Sequence, residues 1–200
     1  MLWRKKVIQL LMPFKPVKIL DVATGTADLA IALTALLPEK ITAIDISANM
    51  LEIGRQKVAK LGLNHSIELQ KADCENLPFE DQHFDAVTVA FGVRNFENLD
   101  KGLNEIRRVL KVDGNLVILE FSKVKKAPIK QFYHFYFRFI TPAIGRLFSK
   151  SSTAYNYLPN SVQVFPEGEE MCVILQNLGF KKVTCKSLSF GIASIYHCQK

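Results

Sequence analysis

The sequence lacks the features that mark a membrane-spanning or metal-binding protein. No apolar run reaches the roughly 18 residues that a transmembrane helix needs. The four cysteines, Cys74, Cys172, Cys185 and Cys198, form no CxxC pair or other spacing typical of a metal site. The start of the chain is basic, but its apolar stretch is too short for a signal peptide. The sequence therefore predicts a cytoplasmic protein with reduced thiols and no bound metal.

Charge of either sign is moderate and dispersed. The net charge is +7, and the basic residues form only small clusters such as Arg4 to Lys6. This balance permits a nucleic acid, an anionic membrane or an acidic partner, and it selects none of them. A length of 200 residues with 48% hydrophobic residues suits a single domain, whose sheet is covered by helices on both faces.

Glycine is scarce at the place where a dinucleotide site would need it. Residues 17–30 begin as a buried strand and continue as a tight turn that opens a helix. The turn contains only Gly25, whereas a dinucleotide fingerprint has three glycines. Asp45 ends the next predicted strand, 20 positions after Gly25. That is the usual separation to a carboxylate that binds a ribose.

The charge at the end of the first strand favours one nucleotide cofactor over another. Asp21 would repel a pyrophosphate and would suit a cation. S-adenosylmethionine combines a ribose and an adenine with a positive sulfonium and has no phosphate. The local electrostatics therefore favour S-adenosylmethionine over NAD. The structural alternative is an ordinary βαβ crossover in which Asp21 merely caps the loop.

Hydrophobic periodicity predicts alternating strands and helices, and therefore a parallel, doubly wound sheet. Ser47 and Asn98 are predicted N-caps of two helices, and a hairpin around Ser189 to Gly191 closes the chain. Pro166 is placed at the start of the last helix. The residues predicted to lie on buried helix faces include Leu29, Leu33, Leu36, Leu37, Leu51, Gly54, Val58, Leu61, Leu99, Leu103, Ile106 and Leu110.

Several separate stretches resemble one family. They are 21–28 (DVATGTAD), 45–51 (DISANML), 72–79 (ADCENLPF), 91–96 (FGVRNF), 107–111 (RRVLK), 119–122 (LEFS), 155–162 (YNYLPNSV) and 190–193 (FGIA). Together they are similar to the C-methyltransferases of menaquinone and ubiquinone biosynthesis. The resemblance implies a Rossmann-like class I S-adenosylmethionine-dependent methyltransferase fold. That fold has a mostly parallel seven-stranded sheet with a C-terminal antiparallel hairpin, and here residues 129–165 would be an aromatic insertion on the substrate side.

The resemblance also implies which residues contact the cofactor. Asp45 would hold the ribose hydroxyls, Asp21 would face the positive end, and Asp73 would accept from the adenine amine. Ala90 departs from the serine that many relatives carry. The complete set of implied cofactor contacts is Asp21, Gly25, Thr26, Asp45, Ile46, Met50, Asp73, Cys74 and Ala90.

The acceptor implied by the resemblance is a polyprenylated quinol, with demethylmenaquinol favoured over the ubiquinone precursor. A ring carbon of the reduced acceptor would attack the sulfonium methyl. Arg94 would stabilise the phenolate, directly or by way of a water, and Asn95 would orient it, as the catalytic pair. The implied substrate contacts are Phe91, Glu120, Ser122 and Tyr155. Peripheral membrane contact through the aromatic segment is one hypothesis, beside core packing of the same rings, and a homodimer is left open.

Departures from the family pattern keep other interpretations open. The family's first motif is absent upstream of Trp3, so the chain is expected to begin several tens of residues late, with weak activity as a consequence. One alternative is a methyltransferase for another small molecule or for nucleic acid. The loop after the fourth strand lacks the Asn/Asp-Pro-Pro-aromatic motif of base methylation, so no nucleic acid partner is expected. A second alternative is an inactive, truncated protein that keeps the fold.

Overall fold

The computed structural model describes residues 2–123 and 165–200. Its helices are α1 (Leu2–Leu11), α2 (Asp28–Leu33), α3 (Ala48–Lys60), α4 (Leu99–Val109) and α5 (Glu169–Asn177). Its strands are β1 (Lys18–Val22), β2 (Lys40–Asp45), β3 (Ile67–Lys71), β4 (Phe84–Ala90), β5 (Leu110–Phe121), β6 (Lys181–Leu188) and β7 (Ala193–Gln199).

The described strands form one seven-stranded sheet in the order β3-β2-β1-β4-β5-β7-β6. Strands β1 to β5 pair with one another in parallel. Strand β7 pairs antiparallel with both β5 and β6, so the chain ends in the predicted hairpin. The strand order reverses between β1 and β4, which is the place where open α/β sheets bind ligands. The predicted fold class is therefore confirmed.

Helices cover both faces of this sheet, because successive side chains of a buried strand point to opposite sides. On one face Leu20 and Val22 of β1 pack in a cluster with residues of α4 and α5. On the other face Ile19 of the same strand packs in a cluster with residues of α1, α2 and α3. Both faces are apolar, as expected for a parallel sheet that is covered on each side.

The predicted helix starts are confirmed at two positions. The Ser47 side chain accepts a hydrogen bond from the main-chain N–H of Met50, and Asn98 accepts from that of Lys101. These caps satisfy N–H groups that have no partner within the helix. Helix α3 follows β2 and α4 follows β4, so both helices begin at the carboxyl ends of the parallel strands.

Four predictions about the apolar helix faces and helix ends were wrong. Helix α2 ends at Leu33 and continues as a tighter 3-10 turn, after which Leu37 adopts a left-handed conformation and is 90% exposed. Leu61 follows the end of α3 and is 58% exposed, and Leu110 begins β5 instead of completing α4. Helix α5 begins at Glu169, three residues after Pro166. A 3-10 turn has three residues per turn, so the α-helical spacing no longer predicts which side is buried.

The aromatic insertion predicted at 129–165 lies outside the described residues except for Phe165, and so does Tyr155. The prediction of a single domain over residues 1–200 therefore stays a prediction. Among the described helices, none has the length and apolar character needed to cross a bilayer.

Candidate functional site

A cavity of about 520 Å³ opens at the carboxyl ends of the parallel strands. Its wall is built from the ends of β1, β2 and β4 and from the loops that follow β1, β2, β3 and β4. Helices α1 and α3 each add one residue, and the start of α2 adds two. The predicted site residues that line it are Asp21, Gly25, Thr26, Asp45, Ile46, Met50, Asp73, Cys74, Ala90, Phe91 and Asn95. The strand order thus brings Asp21 and Asn95, which are 74 positions apart in the sequence, to the same cavity.

Asp21 forms the buried floor of this cavity. Its side chain is 1% exposed, and its two carboxylate oxygens accept hydrogen bonds of 2.6 Å from the hydroxyls of Thr24 and Thr88. Burial raises the pKa of Asp21 to about 6, although the two hydroxyls act in the opposite direction. Asp21 therefore lies where sequence reasoning placed it, and its charge is held in an unfavourable environment that a nearby cation would relieve.

The turn after β1 is held by Asp45 at the end of β2. One carboxylate oxygen of Asp45 accepts from the main-chain N–H of Gly25 and the other from that of Ser47, each at 2.8 Å. Gly25 has a φ of +56°, a left-handed conformation that glycine adopts without strain. Each carboxylate oxygen can accept a second hydrogen bond, so two donors of a ligand would meet a fixed and oriented acceptor pair.

Apolar side chains flank this carboxylate. Ile46 is 68% exposed and Met50 is 41% exposed, and both line the cavity. Large apolar side chains exposed beside a cavity are typical of a surface that contacts a ligand. A flat adenine ring would be covered by such side chains, which is the contact expected of these two residues.

The loop after β3 supplies an acid and a thiol. Asp73 is exposed, and its Oδ1 accepts from the main-chain N–H of Glu75 at 2.9 Å. This oxygen therefore stabilises the conformation of its own loop. Burial raises the pKa of the Cys74 thiol to about 12, which leaves it protonated and unreactive at neutral pH. The thiol is therefore not available as a nucleophile, and the main-chain contact of Cys74 with the cofactor stays a prediction.

Two cations beside the turn were not assigned to the site from the sequence. Lys57 of α3 donates from Nζ to Thr26 Oγ1 at 2.7 Å and to Asp28 Oδ1 at 2.8 Å. Arg4 of α1 contacts the other oxygen of Asp28 at 3.2 Å and lines the cavity. In the sequence, Arg4 belongs to a small basic cluster that is equally typical of a solvated surface.

Arg94 lies behind the cavity wall, where it is paired with other groups of the protein. Its guanidinium forms a buried ion pair with Glu120 at 2.5 Å and donates to the carbonyl of Phe91 at 2.6 Å. The Arg94 side chain is 9% exposed and that of Glu120 is 1% exposed, and neither residue is in the cavity wall. Arg94 Nε is buried and has no hydrogen-bond partner among the described residues.

The remaining predicted substrate contacts are divided between the cavity and the core. Phe91 lines the cavity. The centroid of its ring lies 4.5 Å from the ring centroid of Phe121 and 5.8 Å from that of Trp3. Ser122 is buried and donates to the hydroxyl of Ser194 at 2.6 Å, away from the cavity wall. Its predicted direct contact with substrate is therefore not supported by its position among the described residues.

Comparison with known proteins shows which family the chain belongs to. A family described as "ubiE/COQ5 methyltransferase family" matches residues 1–200. The chain belongs to this family. It is therefore an S-adenosylmethionine-dependent methyltransferase, and the predicted cofactor is confirmed at the level of the family.

Individual relatives agree with this membership. The chain is 48% identical over 199 residues to a demethylmenaquinone methyltransferase of Bacteroides fragilis, covering 99% of this chain and 81% of that protein. It is 44% identical over 200 residues to a ubiquinone/menaquinone biosynthesis C-methyltransferase of Geotalea daltonii, covering 99% of this chain and 85% of that protein. A solved S-adenosylmethionine-dependent methyltransferase from Aquifex aeolicus superposes with a TM-score of 0.70 at 22% identity, covering 98% of this chain and 88% of that chain.

The cavity of this family member fits S-adenosylmethionine better than a dinucleotide. Asp45 offers an oriented carboxylate for a ribose, and Ile46 and Met50 offer apolar surface for an adenine. Asp21 places negative charge at the floor, where a sulfonium is tolerated and a pyrophosphate is not. A volume of about 520 Å³ lies within the usual range for sites that bind small molecules.

Proposed function

We propose that this protein transfers a methyl group from S-adenosylmethionine to a ring carbon of a polyprenylated quinol, with demethylmenaquinol as the acceptor. The observation that carries the proposal is the similarity, over nearly the whole chain, to the Bacteroides fragilis relative whose name specifies demethylmenaquinone. The cavity geometry supports the methyl-donor half of the proposal, and the name of the relative supports the acceptor half.

The proposed acceptor is the reduced form of the ring. A phenolate donates electron density to the adjacent ring carbons, whereas a quinone withdraws it, so only the quinol is a good carbon nucleophile. When bound, S-adenosylmethionine supplies an electrophilic methyl group. The protein then has two tasks, which are to align the acceptor carbon and to accept the protons that the ring loses.

Asp45 and Asp21 would perform the positioning on the donor side. Asp45 would accept from the ribose hydroxyls with the oxygen lone pairs that Gly25 and Ser47 leave available. The ionised Asp21 would favour a cationic ligand near the floor of the cavity, directly or through water. Neither carboxylate needs to move, because both are already held by hydrogen bonds from the protein.

Asn95 is the better candidate for direct contact with the acceptor, since it lines the cavity and Arg94 does not. Its amide would orient a phenolic oxygen. Arg94 would act behind it by fixing the loop, because its guanidinium connects the Phe91 carbonyl to Glu120.

The acceptor's tail suggests contact with a membrane surface. Leu2 is 79% exposed and Phe190 is 80% exposed, and they neighbour Trp3 and Ser189, which share a hydrogen bond of 2.8 Å. These two apolar side chains therefore lie at one edge of the molecule and, with the net charge of +7, suit an anionic bilayer surface. Replacing both with serine should reduce flotation with anionic liposomes, and flotation equal to wild type would remove this part of the proposal.

Turnover with matched acceptors tests the proposed function. The purified protein would be incubated with S-adenosylmethionine and demethylmenaquinol kept reduced by dithionite, and the products separated by mass. We expect methylated menaquinol from the reduced acceptor and none from the oxidised quinone, with slower turnover of the corresponding benzoquinol. Equal turnover of quinone and quinol, or no product from a protein that binds the cofactor, would overturn the proposed acceptor.

A further inference from the structure

Most of the ionisable residues in the cavity wall are acidic. Within the part of the chain that the structure describes, Arg4 is the single basic residue of the wall. The acidic residues that line the same cavity are Asp21, Asp28, Asp45, Asp73, Glu75 and Glu97. A ligand group with negative charge would therefore be repelled from most of this surface, and Arg4 marks the one place where it would be attracted.

The carboxylate that pairs with Arg4 is shared with a second cation. One oxygen of Asp28 lies 3.2 Å from Arg4 and the other lies 2.8 Å from Lys57. Asp28 therefore neutralises only part of the charge of Arg4. The guanidinium of Arg4 carries five N–H donors, and a single bond to Asp28 uses one of them.

The position of Arg4 and Asp28 separates them from the surfaces expected to hold the ribose and the adenine. Arg4 and Asp28 reach the cavity from α1 and from the start of α2. Ile46 and Asp73, in contrast, come from the loops after β2 and β3. A ribose held by Asp45 would lie beside Gly25, whose N–H the Asp45 carboxylate binds. Lys57 joins the next residue of that turn, Thr26, to Asp28. The methionine moiety, the remaining part of the cofactor, would therefore extend from the ribose along this turn towards Asp28 and Arg4.

We propose that Arg4 binds the α-carboxylate of the cofactor's methionine moiety. The methionine moiety carries the only carboxylate of S-adenosylmethionine, and a guanidinium pairs with a carboxylate through two parallel hydrogen bonds. Asp28 is the protein partner of Arg4 in the structure, so it holds the guanidinium beside the cavity. This inference rests on the cofactor half of the proposed function and is independent of the identity of the acceptor.

Two ligands that differ by the amino-acid part provide the test. S-adenosylhomocysteine contains the α-carboxylate, whereas 5′-methylthioadenosine keeps the adenosine and lacks the amino-acid group. By titration calorimetry, we expect Arg4→Ala to weaken S-adenosylhomocysteine binding by roughly tenfold or more, the effect of losing a hydrogen-bonded charge pair. Binding of 5′-methylthioadenosine should change by less than about twofold, because that ligand has no group for Arg4 to bind.

Lys5→Ala is the matched control, because it removes an equal charge from the neighbouring, exposed position of α1. It should leave both affinities unchanged, and Arg4→Lys should recover part of the S-adenosylhomocysteine affinity lost in Arg4→Ala. An equal loss for both ligands in Arg4→Ala, or no loss for either, would overturn the inference while leaving the proposed function intact. A wild-type protein that bound neither ligand would overturn both.

Discussion

The guanidinium of Arg94 and the carboxylate of Glu120 form a buried ion pair that joins the loop after β4 to the end of β5, with Nη1 and Oε1 2.5 Å apart. Glu120 also accepts from the main-chain N–H groups of Arg94 and Phe121. Burial raises the pKa of Glu120, and the neighbouring Arg94 acts against that rise. The loop that carries Asn95 and Phe91 into the cavity is therefore anchored by a charge pair outside the cavity wall.

Removing one partner of this pair should destabilise the fold. We expect Glu120→Ala to lower the free energy of unfolding by about 3 kcal/mol or more, because it leaves the Arg94 charge buried without a counter-charge. Urea unfolding measures the change. Glu68→Ala is the control, since Glu68 pairs with Lys40 at the exposed surface and should contribute less than about 1 kcal/mol. Equal small losses for the two variants would contradict a buried pair.

Asp21 should make stability depend on pH. Its pKa of about 6 in the folded protein, against 3.8 for a free side chain, means that the folded state binds the proton more tightly than the unfolded chain. The stability from that protonation is complete below the unfolded pKa and is lost as pH rises through about 6.

At pH 8 we therefore expect Asp21→Asn to raise the free energy of unfolding by about 1–3 kcal/mol, with the gain shrinking as pH falls towards 5. The hydroxyls of Thr24 and Thr88 can each turn to donate or accept, so the amide keeps both partners. The same variant should bind S-adenosylmethionine more weakly, because the cation loses a facing charge. A variant that is less stable than wild type at pH 8 would show that Asp21 is not strained by burial.

Gly92 keeps the loops after β1 and β4 in contact. A methyl group added there would lie 2.4 Å from Ala23 Cβ and 3.7 Å from Ala23 Cα. We expect Gly92→Ala to separate the two loops, to cost about 1–3 kcal/mol of stability and to weaken cofactor binding. Gly62→Ala is the control: Gly62 is left-handed with open space around it, so the substitution should cost about 1 kcal/mol and leave binding unchanged. Unaltered binding in Gly92→Ala would contradict the tight packing of these loops.

Asp45 should dominate cofactor affinity. Replacing it with alanine removes an acceptor from two ribose hydroxyls and releases the N–H groups of Gly25 and Ser47. Two charge-assisted hydrogen bonds contribute about 3 kcal/mol together, so we expect S-adenosylhomocysteine affinity to fall by roughly a hundredfold. Asp73→Ala should have a smaller effect, because Asp73 is exposed and one of its oxygens is held by its own loop. The reverse ranking of the two variants would refute the ribose assignment.

Features that depend on local sequence could be predicted. The bounds of β4 agree with its run of β-forming residues, and Ser47 and Asn98 cap helices as their type and position indicate. Most of the cavity wall was also predictable, because parallel strands bring their carboxyl ends to one edge and the family motifs lie there. The exposure of Leu37 was not predictable from spacing, since it depends on where an α-helix tightens into a 3-10 turn.

Features that depend on pairing between distant residues could not be predicted. Arg94 and Glu120 are 26 positions apart on different elements, and no local pattern distinguishes a buried ion pair from a catalytic arginine facing a cavity. Arg4 and Lys57 likewise reach Asp28 only because α1 and α3 pack against the same face of the sheet. Side-chain function at this site is therefore set by tertiary packing, which composition and periodicity do not encode.

The most direct test of the account is the fate of an isotopically labelled methyl group. S-adenosylmethionine with a trideuterated methyl would be incubated with demethylmenaquinol and either the wild-type protein or Asp45→Ala, and the product analysed by mass spectrometry and NMR. We predict that the wild-type protein places an intact CD₃ group on a ring carbon and that the variant produces much less at the same cofactor concentration. A label on a phenolic oxygen, or no labelled product from wild-type protein saturated with both ligands, would contradict it.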